Sequence, residues 1–458
     1  MPQAALTSNF PPLRVVLSMP GEASSHYELA LMHARGEGVP QDAAEALVWY
    51  RKAADEDYAL AQYAVARMYS AGQGVPKDAA EALAWYRKAA DQGYHRAQYA
   101  LARMYSVGEG VPQDHVEATK WYRKAAQQDY AHAQNDLGVM YESGQGVLQD
   151  YGEAVAWYRK AADQDYARAQ NNLGYMYESG RGVPQDHGEA VKWYRKAADQ
   201  GFFVAQHNLG VMYERGRGVG RNSAEAFRWF RKAADRGFAS AQSNLGYLYE
   251  HGRGTPQDHA EAAKWYRQAA EQGYAHAQNN LGVLYESGQG VAQDYAEARK
   301  WFREAAERGF PVAQYNLGVM CEDGQGAPKK DYAEARRWFR AAADQNNASA
   351  QFSLGVLYDQ GYGVEQDFAE AMKWYRKAAD QGDAAGQLNL GIMYCHGRAV
   401  PQDYVEAHKW LNLAASRFLP SEADKRARVV KNRDIVAKKM TSWQIAEAQR
   451  LARDWAPR

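Results

Sequence analysis

Apolar and small residues recur along the chain with the period of an α-helix, and the stretch 277–312 shows the pattern clearly. Leu281, Gly282 and Tyr285 fall on one face of a helix. Gly288 follows them, at the position where a helix end needs a residue that tolerates a left-handed backbone. The first part of this stretch is therefore predicted to be a helix that stops at the glycine.

A second helix is predicted after a short polar turn. Asp294, with Glu297 three residues later, matches a capping box in which Asp replaces Ser or Thr. Gly309 closes the helix. The unit is therefore predicted to be two antiparallel helices joined by a fixed turn. The apolar stripe of the second helix has helical spacing and consists of Ala298, Trp301, Phe302, Ala305 and Ala306.

The same unit returns along most of the chain, in eleven copies. Tryptophans stand every 36 residues from Trp49 to Trp410, with one interval of 37 where the sequence PKKD at 328–331 carries an extra residue. Such a period is typical of a solenoid, because one helix pair cannot bury its own apolar stripe and stacked pairs can. We predict an all-α fold with repeats over 25–420, an N-terminal segment 1–24 that is flexible or capping, and C-terminal capping helices over 421–458.

Small residues at fixed positions of the unit indicate close packing of its helices. Ala or Gly stands at position 282 and its equivalents, and Ala at positions 298, 305 and 306 and theirs. We expect the large tryptophan, such as Trp229 or Trp301, to fill the gap that these small neighbours leave. Replacing Trp229 by Ala should then cost about 3–5 kcal/mol of stability.

The unit reads A-x-x-x-L-G-x-x-Y-x-x-G-x-G-V-x-x-D-x-x-E-A-x-x-W-Y-x-K-A-A-x-x-G, and it resembles the Sel-one-like repeat (SLR) family, relatives of the tetratricopeptide repeat. The segment MTSWQIAEAQRLARDW at 440–455 is also similar to the closing helix of bacterial members, with Thr441 and Gln444 in a capping-box pattern. The resemblance implies a right-handed superhelical α/α solenoid of about eleven 36-residue helix-turn-helix repeats with a concave groove. It also implies a scaffold or adaptor that binds a protein or peptide partner in that groove.

A row of asparagines is predicted on the exposed side of the first helices, where a helical wheel places Asn279, Asn280, Val283, Glu286 and Ser287. In tetratricopeptide relatives an Asn at the matching place can face the groove and hold a peptide backbone, which suits a side chain that both donates and accepts hydrogen bonds. The same asparagines could instead bond to their neighbours between stacked helices. The row directly precedes the Leu-Gly pair and consists of Asn172, Asn208, Asn244, Asn280, Asn316 and Asn389.

A row of carboxylates and an apolar strip are predicted beside the asparagines. The carboxylates could attract a basic segment of a partner, or they could pair with arginines of the second helices, such as Arg267 and Arg303. The strip at position 283 carries Tyr175 and Tyr247, which would be natural anchors for a partner. The carboxylates assigned to the groove are Glu178, Glu214, Glu250 and Glu286, and Glu142, Glu322 and Asp359 continue the row.

Catalytic chemistry is not expected from this sequence. Lys plus Arg and Asp plus Glu both number 55, so the net charge is zero, which argues against a dedicated nucleic-acid binder. The twelve histidines show no metal-ligand spacing, and the carboxylates recur with the repeat rather than as a lone catalytic pair. We expect no catalytic residue, no metal and no cofactor. Two alternatives remain: a hydrolase with a dispersed carboxylate site, and a helical repeat that reads nucleic acid.

The surroundings of the protein are predicted from what the sequence lacks. No apolar run approaches the roughly 20 residues of a membrane helix, and the first 25 residues make a poor signal peptide. We therefore expect a cytoplasmic monomer without membrane association.

Overall fold

The computed structural model describes residues 22–418 and 420–457, and in this part of the chain it contains twenty-four α-helices and no β-strand. The chain divides into two compact units, residues 1–221 and residues 222–458. Most of the predicted N-terminal segment 1–24 lies outside the described residues. The rest of it belongs to the first helix, which begins at Glu22.

The first unit is a stack of helix pairs in which odd-numbered helices are the first helices of the repeats and even-numbered helices are the second. From residue 22 onward its helices are α1 (Glu22–Arg35), α2 (Ala43–Asp55), α3 (Ala59–Ala71), α4 (Ala79–Asp91), α5 (His95–Val107), α6 (His115–Ala126), α7 (Ala131–Ser143), α8 (Tyr151–Ala162), α9 (Ala167–Ser179), α10 (His187–Asp199) and α11 (Phe203–Arg215).

The second unit continues the same alternation and ends with two further helices after a short 3-10 turn at Pro420–Glu422. Its helices are α12 (Ser223–Asp235), α13 (Ala239–His251), α14 (His259–Glu271), α15 (Ala275–Ser287), α16 (Tyr295–Glu307), α17 (Pro311–Asp323), α18 (Tyr332–Ala343), α19 (Ala348–Gln360), α20 (Phe368–Asp380), α21 (Ala384–His396), α22 (Tyr404–Arg417), α23 (Ala423–Ala437) and α24 (Ser442–Arg453).

The turn between the two helices of a repeat is built on two glycines. Gly288 ends α15 in the left-handed conformation, with φ of 71°, as the sequence predicted. Gly290 has the same φ, and a Cβ atom there would stand 2.2 Å from the backbone oxygen of His259, at the start of the second helix of the preceding repeat. The second glycine therefore allows consecutive repeats to touch through their backbones.

The predicted capping box at the second helix is only half formed. The Asp294 carboxylate accepts hydrogen bonds from the backbone N–H groups of Ala296 and Glu297, at 2.9 and 3.1 Å. The backbone N–H of Asp294 donates instead to the Tyr285 carbonyl at 2.9 Å, so it is not left for the Glu297 side chain. Glu297 turns towards Lys300, 3.3 Å away. At α24, by contrast, the capping box of Thr441 with Gln444 is complete, as predicted.

The gap beside the small first-helix residue is filled by the aromatic residue that follows the tryptophan, so the expectation that tryptophan fills it was wrong for position 282. A Cβ atom on Gly282 would stand 2.7 Å from the Phe302 ring. Trp301 packs instead with Tyr266 and Ala269 of α14, in the preceding repeat, and with Leu281 of α15, in its own repeat. The stripe turns by about 100° per residue, so neighbouring positions 301 and 302 face different partners. The loss on replacing a tryptophan by Ala stays a prediction.

A buried glutamine links successive helix pairs at a position to which the sequence analysis gave no role. The Gln278 side chain is fully buried and donates to the backbone oxygen of Ala270, near the end of α14, at 3.1 Å. Gln170 makes the same bond to the oxygen of Ala162 in the first unit, at 3.2 Å. Each of these carbonyls also accepts a backbone hydrogen bond, from Gly273 and Asp165 respectively, so the glutamine supplies a second donor at the end of the helix.

The two helices after the last repeat pack against α22. Val429 and Val436 of α23 lie in a buried cluster with Leu411. Beyond α24, Trp455 meets Trp410 edge to face, with ring centroids 6.1 Å apart. The apolar side of the last repeat is thereby covered.

Candidate partner-binding face

The exposed side of the first helices carries the residues that the sequence assigned to partner binding. We call it the first-helix face and define it by the positions of Asn280, Val283 and Glu286 and their equivalents in each repeat. Asn280, Val283 and Glu286 themselves are half-buried.

The asparagines of this face form hydrogen bonds between successive first helices. Asn172 donates to the side-chain oxygen of Asn135 at 3.0 Å, and Asn208 donates to that of Asn171 at the same distance. In the second unit Asn316 donates to Asn279, also at 3.0 Å. At these three positions the asparagines therefore bond to their neighbours between stacked helices, which was one of the two expectations. Each donor side chain is half-buried.

The acceptors of these bonds correct one sequence expectation. Asn279 was expected on the exposed side, but its side chain is buried, and so are Asn135 and Asn171 at the same position of other repeats. A wheel of a single helix cannot show that the next first helix covers this position. Asn280 and Asn389 interact instead with the hydroxyls of Tyr266 and Tyr375, and Asn244 is half-buried.

The carboxylates of the face pair with buried tyrosines where the second helix offers one. Glu178 accepts a hydrogen bond from the Tyr194 hydroxyl at 2.8 Å, and Glu250 accepts one from the Tyr266 hydroxyl at 2.6 Å. Burial first, and then the neighbouring Glu250 charge, raise the pKa of Tyr266 far above its ordinary value, which keeps the hydroxyl protonated as a donor.

The second-helix arginines that were named as possible partners of these carboxylates bond to other groups. Arg267 donates to the Tyr285 hydroxyl at 2.6 Å, and Arg303 donates to Glu334 at 2.8 Å. Glu214 does lie 3.6 Å from an arginine, but this is Arg221 in the turn that follows its own helix.

Glu286 stands where the second helix has Phe302 in place of tyrosine. Burial and then the charge of Asp323 raise the pKa of Glu286 above its ordinary value, and the same two causes raise the pKa of Glu322 in the next repeat. These two carboxylates are half-buried, and the second helices of their repeats carry no hydroxyl at the matching position.

The two tyrosines proposed as anchors lie on the surface. Tyr175 of the first unit is 40% exposed, with the Arg181 guanidinium 5.6 Å from its ring centre. Tyr247 of the second unit is 38% exposed and packs against His251, with the ring centroids 4.2 Å apart and the planes tilted by 32°. Val139 at the same position is 39% exposed, and most other residues of this strip are half-buried.

The N-terminal repeats differ from the rest in a way that the sequence analysis did not use. In repeats two and three, small residues replace the asparagine and the carboxylate, and Arg67 and Arg103 stand at the position of Tyr175. In the first repeat Glu28 replaces the asparagine and Ala34 replaces the carboxylate. A cavity of about 710 Å³ opens among these helices. Ser70 and Ser106, which interrupt the row of carboxylates, mark this difference in the sequence, but they did not reveal the cavity.

Over residues 22–418 and 420–457, no group of three His, Cys, Asp or Glu side chains is placed to hold a metal ion. Across the same part of the chain, no helix is long and apolar enough to cross a membrane.

The model of the Sel1 repeat family matches the chain in eleven consecutive segments, which together cover most of its length. The chain belongs to the Sel1 repeat family. Members of this family and their tetratricopeptide-like relatives generally act as protein-interaction scaffolds and are typically non-catalytic. The matched segments are 23–58, 59–94, 95–130, 131–166, 167–202, 204–238, 239–274, 275–310, 311–347, 348–383 and 384–417.

Solved Sel1 repeat structures resemble this chain. The chain is similar to c5321, a protective antigen of uropathogenic Escherichia coli with an SLR fold, at 38% identity and a TM-score of 0.78, over 95% of this chain and 92% of that one. It is also similar to a Sel1 repeat protein from Oxalobacter formigenes, at 33% identity and a TM-score of 0.50, over 54% of this chain and 96% of that one. No curated protein matched the sequence. The predicted SLR membership and the all-helical solenoid fold are confirmed.

Proposed function

We propose that this Sel1 repeat protein is an adaptor that binds a protein or peptide partner on the first-helix face and has no catalytic activity of its own. The observation that carries the proposal is the exposure of Tyr175, a large aromatic side chain on a helix face whose other positions are mostly half-buried. Aromatic residues at such positions are the usual anchors of protein interfaces. The expected cytoplasmic, monomeric and membrane-free state belongs to the same proposal.

The polar rows beside Tyr175 would set the position of the partner. Asn172 lies three residues before the tyrosine on α9 and Glu178 three residues after it, so both are on the same side of the helix. Each is half-buried; the Asn172 side chain donates to Asn135 and accepts a longer bond from Asn171, and Glu178 accepts from Tyr194. Their remaining hydrogen-bonding capacity suits contact with a peptide backbone or a basic side chain.

The second unit offers a corresponding patch, which we propose as a further contact region. Tyr247 on α13 has Asn244 three residues before it and Glu250 three residues after it, and Asn280 and Glu286 follow on α15. Asn208 and Glu214 occupy the corresponding positions on α11 of the first unit. Asn316 on α17 and Asn389 on α21 extend the asparagine row towards the C-terminal end of the second unit.

No observation favours either alternative function. A hydrolase needs a carboxylate pair set apart by its surroundings, whereas Glu286 and Glu322 have the same environment, one repeat apart. A reader of nucleic acid needs a basic face, and the face around Tyr175 and Tyr247 carries a row of carboxylates.

The proposal is tested by comparing two surface substitutions in the first unit. Partners captured by the full chain from an extract of its host would be identified by mass spectrometry, and the affinity of each purified partner would be measured. Tyr175→Arg should weaken binding at least tenfold, which corresponds to about 1.4 kcal/mol. Val116→Arg is the matched control, because Val116 is 53% exposed but lies on the second helix α6.

Circular dichroism would first establish that both variants keep the helical content of the wild type. Equal losses from the two substitutions, or none from Tyr175→Arg, would show that the partner does not use the first-helix face.

A further inference from the structure

The cavity in the N-terminal repeats is formed between the helices of the first pair and those that follow. Its volume is about 710 Å³, and Ala34, Arg35, Tyr50, Arg67 and Arg96 are part of its wall. All of these residues belong to the first unit, and they come from the helices α1, α2, α3 and α5.

A missing carboxylate distinguishes this cavity from the corresponding place in later repeats. There, a glutamate of the first helix accepts a hydrogen bond from a buried tyrosine sixteen residues further on, as Glu142 does from Tyr158 at 2.6 Å. In the first repeat the same spacing pairs Tyr50 with Ala34. The small side chain of Ala34 leaves open the volume that the glutamate would occupy.

The Tyr50 hydroxyl is the polar group that this exchange leaves unsatisfied. The Tyr50 side chain is only 2% exposed, and its hydroxyl has no hydrogen-bond partner among the described residues. A buried donor without an acceptor is costly, so a ligand that brings an acceptor gains affinity from the site itself. Repeats two and three differ, because Ser70 and Ser106 interact there with the corresponding tyrosines.

The charges around the cavity favour an anionic acceptor. Three arginines, Arg35, Arg67 and Arg96, line the wall, and Glu37 is the one carboxylate on it, 3.7 Å from Arg35. The guanidinium groups of Arg35 and Arg67 lie close enough to act electrostatically on the Tyr50 hydroxyl, and the Glu28 carboxylate, which is not part of the wall, acts on it with the opposite sign. Planar guanidinium groups beside a hydroxyl donor match the two oxygens of a carboxylate.

We propose that this cavity binds one carboxylate of an acidic peptide segment, which accepts a hydrogen bond from the Tyr50 hydroxyl and pairs with Arg35 and Arg67. The ligand thereby supplies the group that the chain itself supplies in the fourth, fifth and seventh repeats. The carboxylate is that of an Asp or Glu side chain or that of a chain terminus. The inference rests on the proposed adaptor function for the peptide nature of the ligand.

Three short peptides separate the possible sources of the carboxylate. The probes are acetyl-Gly-Ser-Glu-Ser-Gly-amide, its Gln counterpart, and acetyl-Gly-Ser-Gly-Ser-Gly with a free C-terminus. Binding to the full chain would be measured by ligand-observed NMR, which detects millimolar affinities. We expect the Glu peptide, the free C-terminus or both to bind at least tenfold more tightly than the Gln amide, because charged acceptors form the stronger bonds.

Substitutions in the wall test the site itself. Ala34→Glu restores the pattern of the later repeats, so it should fill the cavity, abolish probe binding and leave the melting temperature equal or higher. Tyr50→Phe should weaken the probe by about threefold to tenfold. Tyr375→Phe is the control, since Tyr375 is equally buried at the same repeat position but belongs to the second unit and is not part of the cavity wall. It should leave probe binding unchanged.

Several results would overturn the inference. These are equal binding of the Gln amide, no binding of either carboxylate peptide at about 10 mM, or full binding to a folded Ala34→Glu variant. Failure of the peptides, with a partner still lost on Tyr175→Arg, would remove this pocket and leave the adaptor function standing. Peptide binding with partner affinity unchanged by Tyr175→Arg would keep this pocket and show that the partner does not use the first-helix face.

Discussion

Two opposite substitutions in neighbouring repeats test the pairing of a buried tyrosine with a carboxylate of the first-helix face. Tyr266 donates to Glu250 at 2.6 Å, whereas Phe302 occupies the same position beside Glu286 one repeat later. In both repeats the ring lies against a glycine of the first helix, where a Cβ atom would stand 2.7–2.8 Å from it. Exchanging the two aromatic residues therefore changes one hydroxyl in a matched setting.

The structure sets the expected sizes. A hydrogen bond to a charged group contributes about 1.5–3 kcal/mol, and Tyr266→Phe should cost about 1.5 kcal/mol because Glu250 keeps partial access to water. Phe302→Tyr should stabilise by about 0.5–1.5 kcal/mol, since the new hydroxyl must first lose its own water. The stabilisation by Phe302→Tyr also has a local cause. Burial and Asp323 disfavour the charged form of Glu286, and the new hydroxyl would donate a hydrogen bond to it.

The free energy of unfolding would be measured in denaturant, with hydrogen exchange of α14 and α16 to locate the change, because long repeat arrays do not always unfold in two states. A double-mutant cycle of Tyr266→Phe and Glu250→Gln isolates the pair. A coupling below about 0.3 kcal/mol, or a loss of stability on Phe302→Tyr, would refute the reasoning.

Two further predictions concern charge and backbone. The pKa of Glu286 is higher in the folded chain than its ordinary value, so folding favours the neutral carboxyl. At a pH above this raised pKa the charged carboxylate therefore lowers the free energy of unfolding. The penalty disappears as the pH falls towards the ordinary pKa of glutamate. Glu286→Gln should therefore stabilise the chain at pH 7 and lose this advantage near pH 4, measured as the difference in unfolding free energy from wild type; a constant difference would contradict the assigned cause. Gly290→Ala should cost about 3 kcal/mol or more in the same assay, because its Cβ atom meets the backbone at His259. Gly309→Ala is the control, because Gly309 also has a positive φ, 85°, but no atom lies within 4 Å of the added Cβ. A loss of about 1–2 kcal/mol is expected there. Equal losses of stability from the two substitutions would argue against the backbone contact at Gly290.

Most of the fold could be predicted because its signals are local and repeated. The left-handed glycine at 288 and the aspartate cap at 294 act on backbone groups within a few residues, so a single copy of the motif suffices to identify them. Repetition then showed that stacking must bury the apolar stripe. What failed was the choice between neighbours, such as Trp301 and Phe302, because a stripe of helical spacing does not say which partner each member meets.

The candidate site was predicted less completely. The rows of asparagines and carboxylates were found, and Tyr175 and Tyr247 lie on the surface as expected. The partners of these rows were not found, since Asn279 is covered by the next first helix and Glu250 meets a tyrosine rather than an arginine. Both contacts join residues of different helices, which a wheel of one helix does not represent.

The sequence by itself determined the helix pairs, their number, their ends and the family, because these depend on hydrogen bonds and periodicity within about 36 residues. Only the tertiary structure decided which polar groups are used up inside the stack and which remain for a ligand. The contrast between Tyr158 and Tyr50 illustrates this difference: the same residue at the same repeat position is satisfied by Glu142 in one case and left without a partner among the described residues beside Ala34 in the other. Satisfaction of a buried group depends on distances between helices, and packing alone fixes those.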